Sequence, residues 1–109
     1  MIQNIAHRGA SAYEPENTLR AFELALAMDA TMIEVDIHLS ADGHPVVIHD
    51  TQLSRTTDGQ GRITDLMLSD LRRLDAGKGE QIPMFTEVME CVRGRAQLYK
   101  DFDEYGTRL

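Results

Sequence analysis

The chain is 109 residues long, 42% hydrophobic and 27% charged, with a formal net charge of -7. That length suits one small domain with a modest core, and the composition is that of an ordinary soluble protein. The negative balance repels nucleic acid and anionic membrane surfaces, so neither is an expected partner. Cys91 is the only cysteine, which excludes an intramolecular disulfide and fits a reducing compartment. Met1-Ile2-Gln3-Asn4 is not a basic region followed by a long apolar one, so no signal peptide is read. No stretch approaches the roughly 18–20 apolar residues that cross a bilayer. A cytoplasmic protein is the expectation.

Strand-like and helical runs alternate along the chain. Ile2–Ala6 is apolar and predicts a first strand. His7 to Glu16 reads as loop, with Asn17 as the cap of the helix that follows. Leu19, Phe22, Ala25 and Leu26 lie at helical spacing and carry that helix to Asp29. Met32–Leu39 predicts a second strand. Asp42-Gly43 is a turn signal, and Pro45–Ile48 is a third apolar run that pairs with the second as a hairpin or lies close to it. Residues 51–62 are rich in Thr, Gly, Gln and Asp and read as loop. Ser69 opens a short helix, Asp70–Asp75, stopped by Gly77. Pro83 starts another, with Phe85, Val88, Met89 and Val92 as its buried stripe and Gly94 as its end. Cys91 falls within it and reads as a packing residue. Arg95–Tyr99 begins a further strand, and Lys100–Leu109 is expected to be irregular or helical. Strand, helix and strand in this order argue for a parallel α/β arrangement.

Three strand ends carry chemistry. His7-Arg8-Gly9 sets an acid/base group beside a fixed cation, followed by a residue that lets backbone approach a ligand. Glu34 and Asp36 are two apart in a strand and so share a face, with Ile33, Val35 and Ile37 on the other. Two carboxylates this close either hold a cation between them or form a solvated strand face. Oxygen ligands of this kind suit Mg²⁺ or Ca²⁺ rather than zinc. His38 is read as a rim residue and His44 as a turn residue. His49 ends the third apolar run, and Asp50 either orients it or caps the next turn. Active sites of parallel α/β folds form at the carboxyl ends of strands. Two histidines, an arginine and a carboxylate pair at such ends suit metal-assisted acid/base chemistry on a phosphate ester.

The same residues resemble the N-terminal half of the glycerophosphodiester phosphodiesterase family. The likeness is carried by Ala6-His7-Arg8-Gly9-Ala10, Pro15-Glu16-Asn17-Thr18, Ile33-Glu34-Val35-Asp36 and Val46-Val47-Ile48-His49-Asp50. Leu53-Ser54-Arg55-Thr56-Thr57-Asp58-Gly59 and Ile82-Pro83 extend it towards Gly94. The resemblance implies part of a (β/α)₈ barrel: about three of its strands, a small helical insertion over residues 53–82, and the tail at 100–109. It implies hydrolysis of glycerophosphodiesters to an alcohol and glycerol 3-phosphate. His7 and His49 match the acid/base pair, Arg8 the phosphate-holding residue, and Glu34 and Asp36 two ligands of a divalent metal. Glu16 matches a position beside the site.

Two departures stand out. A full barrel of this kind needs about 250 residues. After Gly94 the family pattern expects Glu-x-Lys, a third metal ligand and a phosphate contact. Here the segment reads Arg95-Ala96-Gln97-Leu98-Tyr99-Lys100, with no Glu two before Lys100, as though the strand's centre were missing. The chain is therefore expected to be a phosphodiesterase acting on a small glycerophosphodiester. The alternative is a truncated, inactive relative that binds metal or phosphate weakly or self-associates through open barrel edges.

Overall fold

The computed structural model describes residues 4–102. It is built around one central strand. In chain order come β1 (Ile5–His7), α1 (Leu19–Ala27), β2 (Met32–Leu39), β3 (Pro45–Val47), a 3₁₀ turn at Ile63–Asp65, α2 (Leu68–Leu71), α3 (Phe85–Val92) and β4 (Gln97–Phe102). β1 and β4 both run parallel to β2, and β3 returns antiparallel through the Asp42-Gly43 turn.

β1 and β3 share one edge of β2. The Arg8 N–H donates to the Glu34 carbonyl at 2.8 Å, and the Ile48 N–H to the Asp36 carbonyl at 3.0 Å. Carbonyls two residues apart on a strand face the same side. β1 therefore runs up this edge and β3 runs down it, and their ends meet opposite Val35 and Asp36. The parallel expectation holds for three strands. The third apolar run is the exception, because a short Asp-Gly turn can only join antiparallel neighbours. β4 takes the opposite edge, in register from Met32↔Gln97 to Ile37↔Phe102.

The faces of β2 divide as their alternation demands. Ile33, Val35 and Ile37 are fully buried beneath α1 and α3, against Phe22, Ala25, Phe85, Val88 and Val92. Each such side chain contributes on the order of 1.5–3 kcal/mol. A second cluster forms on the far side of β3, where Val46 and Ile48 meet Leu53, Ile63, Leu71 and Ile82. Cys91 packs at the margin of the main core, its Sγ 3.2 Å from Glu23 Oε1. Burial first and the Glu23 carboxylate second push its thiol up to about 11, as befits an inert packing group.

Several boundaries differ from the sequence reading. The first strand is described as Ile5–His7, ending one residue beyond the expected Ala6, and Met1–Gln3 lie outside the described residues. Thr18, not Asn17, caps α1: its hydroxyl accepts from the Ala21 N–H at 3.2 Å, because the Asn17 amide is drawn elsewhere. The short helix starts at Leu68, not at Asp70, and is a single turn. Met89 is 42% exposed, since the buried stripe of α3 needs only Phe85, Val88 and Val92. Lys100–Phe102 continue β4 instead of opening an irregular tail, held by the β2 ladder. The rest of that tail lies outside the described residues. Among the described residues no helix is long and apolar enough to cross a membrane.

Candidate active site

The loop from β1 to α1 is folded against the middle of β2, at Glu34 and Asp36. Arg8 adopts φ 59 and Asn17 φ 57, in the left-handed region. Asparagine tolerates that region; for arginine it is a strained conformation. Two backbone bonds hold it in place, Arg8 N–H to Glu34 O at 2.8 Å and Asn17 N–H to Arg8 O at 2.9 Å. Gly9 follows at φ +78, with a Cβ position only 2.8 Å from the backbone carbon of Ala21, so α1 packs directly on the glycine. Such strain, over-determined by neighbours, is typical of functional loops.

The expected residues come together along the β1/β3 edge. His7 Nε2 lies 3.0 Å from Glu34 Oε1. The Arg8 guanidinium sits between two carboxylates, with Nη1 donating to Glu16 Oε2 at 3.4 Å and Nε 3.4 Å from Asp36 Oδ2. The second contact is an ion pair by distance alone, because the Nε–H is not aimed at the oxygen. Asp36 is 8% exposed, and the Asn17 Nδ2 donates to its Oδ2 at 3.2 Å. A buried carboxylate is thus paired and hydrogen-bonded, as buried polar groups are.

His49 stands on the far side of this group. Its Nδ1 is 2.7 Å from Asp50 Oδ1. An ionised carboxylate only accepts, so Nδ1 carries the proton and Nε2 is the nitrogen that exchanges one. Of the two readings of Asp50, orientation of His49 is the one realised. His38, expected on the rim, is 7% exposed, and its Nε2 donates to the His49 carbonyl at 2.8 Å. Its place is set by β2: it shares the face of Glu34 and Asp36, where the His49 carbonyl just after β3 takes its Nε2. His44 stays in the turn, exposed beside Asp42.

Arg55 joins the two sides. It donates to Glu16 through Nη1 and Nη2, each at 2.9 Å, and to Asp50 through Nε at 2.7 Å and Nη2 at 3.0 Å. Its hydrogen bonds hold the Asp50 carboxyl down at about 2, with His49 adding to the effect. The same guanidinium lowers Glu16 and is itself raised, so it stays charged. The sequence reading quoted Arg55 without giving it a role. One arginine in a polar loop has no periodicity, and its partner Glu16 is 39 residues away.

The other edge is different. Tyr99 is the register partner of Glu34 and is 55% exposed. Lys100 is the partner of Val35, on the core side of the sheet, and its Nζ lies 5.6 Å from the centre of the Phe85 ring. It does not face the carboxylates. Among the described residues no three His, Cys, Asp or Glu side chains converge as a metal-ligand group. Glu34 and Asp36 alone do not make a cation site.

Comparison with known proteins agrees with this geometry. The Glycerophosphoryl diester phosphodiesterase family matches residues 7–105. A glycerophosphodiester phosphodiesterase of Caldanaerobacter subterraneus is 46% identical over 95 residues, 81% of this chain and 39% of that protein. The crystal structure of a glycerophosphodiester phosphodiesterase from Agrobacterium tumefaciens superposes with a TM-score of 0.91 at 41% identity, covering 94% of this chain and 47% of that one. A phosphodiesterase from Oleispira antarctica, solved with its product sn-glycerol-3-phosphate, gives 0.90 at 40% identity, over 94% and 45%. The chain spans less than half the length of these relatives. Its three parallel strands and flanking helices are a partial (β/α)₈ barrel. The chain belongs to the glycerophosphoryl diester phosphodiesterase family.

Proposed function

We propose that residues 7–55 form the substrate-holding side of a phosphodiesterase site that hydrolyses glycerophosphodiesters to an alcohol and glycerol 3-phosphate. One observation carries this reading: an unbroken chain of charged contacts from His49 through Asp50, Arg55 and Glu16 to Arg8 and Asp36, with His7 and Glu34 alongside. Its members come from β1, β2, the segment after β3 and two loops, and they gather where β1 and β3 end against the middle of β2.

In this reading Arg8 binds the phosphate, held ready by Glu16 and Asp36. One histidine takes the proton from the glycerol hydroxyl, which attacks phosphorus to form a cyclic phosphate. The other gives a proton to the leaving alcohol, and water then opens the ring. The Asp50 contact fixes His49 with Nε2 available for that exchange. Glu34 and Asp36 would supply two oxygen ligands to a divalent cation such as Mg²⁺ or Ca²⁺. When bound, such a cation polarises the phosphate and favours ionisation of the attacking hydroxyl. The substrate is a small molecule, the protein is cytoplasmic, and residues 53–82 are an insertion within a single domain.

A second reading is favoured by the lack, among the described residues, of a third metal-ligating side chain and of a strand on the outer edge of β4: a chain that binds phosphate or metal weakly and self-associates without turnover. Glycerophosphocholine hydrolysis with Mg²⁺ or Ca²⁺ separates the two. Turnover lost in both His7→Ala and His49→Ala is the expected result. Turnover no greater than that of His7→Ala, at every metal concentration, refutes the phosphodiesterase reading for this chain. Light scattering after size exclusion tests self-association, which a monodisperse monomer refutes.

A further inference from the structure

We propose that Arg55 is a positioning residue that locks the acid/base histidine His49 and the phosphate-binding Arg8 into one geometry, an assignment that rests on the function proposed above. The guanidinium uses both of its edges. Nη1 and Nη2 grip the two oxygens of Glu16 in parallel, and Nε and Nη2 grip the two oxygens of Asp50. Each carboxylate then passes the constraint on. Glu16 Oε2, held by Arg55, also accepts from Arg8. Asp50 Oδ1, held by Arg55, also meets His49 Nδ1. One planar group therefore fixes the aim of a cation and the tautomer of an imidazole at the same time.

Arg55 is itself well placed to do this. It is two residues after Leu53, which is fully buried in the cluster beneath β3. The Leu53 N–H donates to Gly61 O at 2.9 Å, and the Thr57 N–H to Leu53 O at 3.0 Å. The loop is thus pinned on both sides of the arginine. Its side chain is 48% exposed, so simple ion-pair energy contributes little to stability. Orientation is where a doubly bidentate arginine acts, and lysine cannot reproduce it, because a single ammonium cannot span two carboxylates in a fixed plane.

The test reads His49 directly in the intact chain by ¹⁵N NMR, at about pH 9, above the ordinary histidine range. Wild type is expected to hold His49 almost wholly in the Nδ1–H tautomer. In Arg55→Lys the tautomer ratio is expected to fall roughly tenfold, the effect of loosening one charge-assisted hydrogen bond. Chemical-shift changes at Arg8 on titration with inorganic phosphate are expected to weaken in the same variant. Arg62→Lys, whose partner Asp65 lies away from the site, should change neither. A folded Arg55→Lys with an unaltered His49 tautomer overturns the proposal. Should that variant fail to fold, the wild-type Arg55 Nε–H decides: exchange with water as fast as that of Arg62 overturns the proposal, and slow exchange supports it. Absence of turnover with an Arg55-dependent tautomer refutes the phosphodiesterase reading and leaves the positioning role standing.

Discussion

The two edges of β2 carry very different amounts of organisation. Along the β1/β3 edge, His7, Arg8, Glu16, Asp36, Asp50 and Arg55 are held by side-chain contacts of 2.7 to 3.4 Å. Along the β4 edge stand an exposed Tyr99, in register with Glu34, and a Lys100, in register with Val35, whose Nζ lies over the Phe85 ring. Both edges pair through regular backbone ladder, parallel for β1 and β4 and antiparallel for β3, so backbone pairing alone does not build a site. The difference lies in which residue occupies which parity. A displacement of one residue moves a whole strand's side chains to the other face. β4 carries its lysine on the face where β2 carries Val35.

The contrast can be broken from either side. The largest effect is expected at Gly9 on the organised edge. Gly9→Ala sets a Cβ against the Ala21 backbone at a positive φ and should cost about 3 kcal/mol or more. Gly94→Ala, also at positive φ but in open space beside β4, should cost only about 1–2 kcal/mol. Urea denaturation midpoints of the two variants check this, and equal losses would erase the distinction between the edges.

An intermediate effect is expected from pH. Asp50 is held at about 2 in the fold against an ordinary 3.8. A depressed carboxyl stabilises the fold above its unfolded value and loses that contribution as pH falls through the folded one. Stability should therefore drop from about pH 4 towards pH 2, by at most about 2 kcal/mol after screening by solvent. Asp50→Asn should flatten this part of a thermal-melt pH series. The smallest effect is expected on the β4 edge, where Lys100→Leu puts an apolar side chain opposite Val35 and beside Phe85. A gain of about 1 kcal/mol, or roughly 4–8 °C in Tm, is the predicted result by calorimetry.

Much of this was legible in the residues, because the signals were local. Met32–Leu39 forms β2 with the predicted limits, and alternation placed Glu34 and Asp36 together. Asp42-Gly43 announced the hairpin. What escaped was set by contacts distant in sequence. Asn17 looks like a helix cap until Asp36, 19 residues on, takes its amide. His38 looks peripheral until the His49 carbonyl, 11 residues on, takes its Nε2. Arg55 has no local pattern at all, since both of its carboxylates are recruited by tertiary structure. Lys100 looks like the resumption of a motif, and only the strand register shows that it shares the face of Val35, away from Glu34.

The head-on meeting of β1 and β3 makes β2 a measuring rod for the chemistry. His7 is registered to Glu34 and Val47 to Ile37, three residues further along the same strand. At about 3.3 Å per residue, the spacing between the strands that deliver the two histidines is gauged at roughly 10 Å. No loop length enters that figure. Insertions in the hairpin or in the β1–α1 segment leave the gauge untouched, whereas one residue added to β2 between Glu34 and Ile37 would recalibrate the site in a single step.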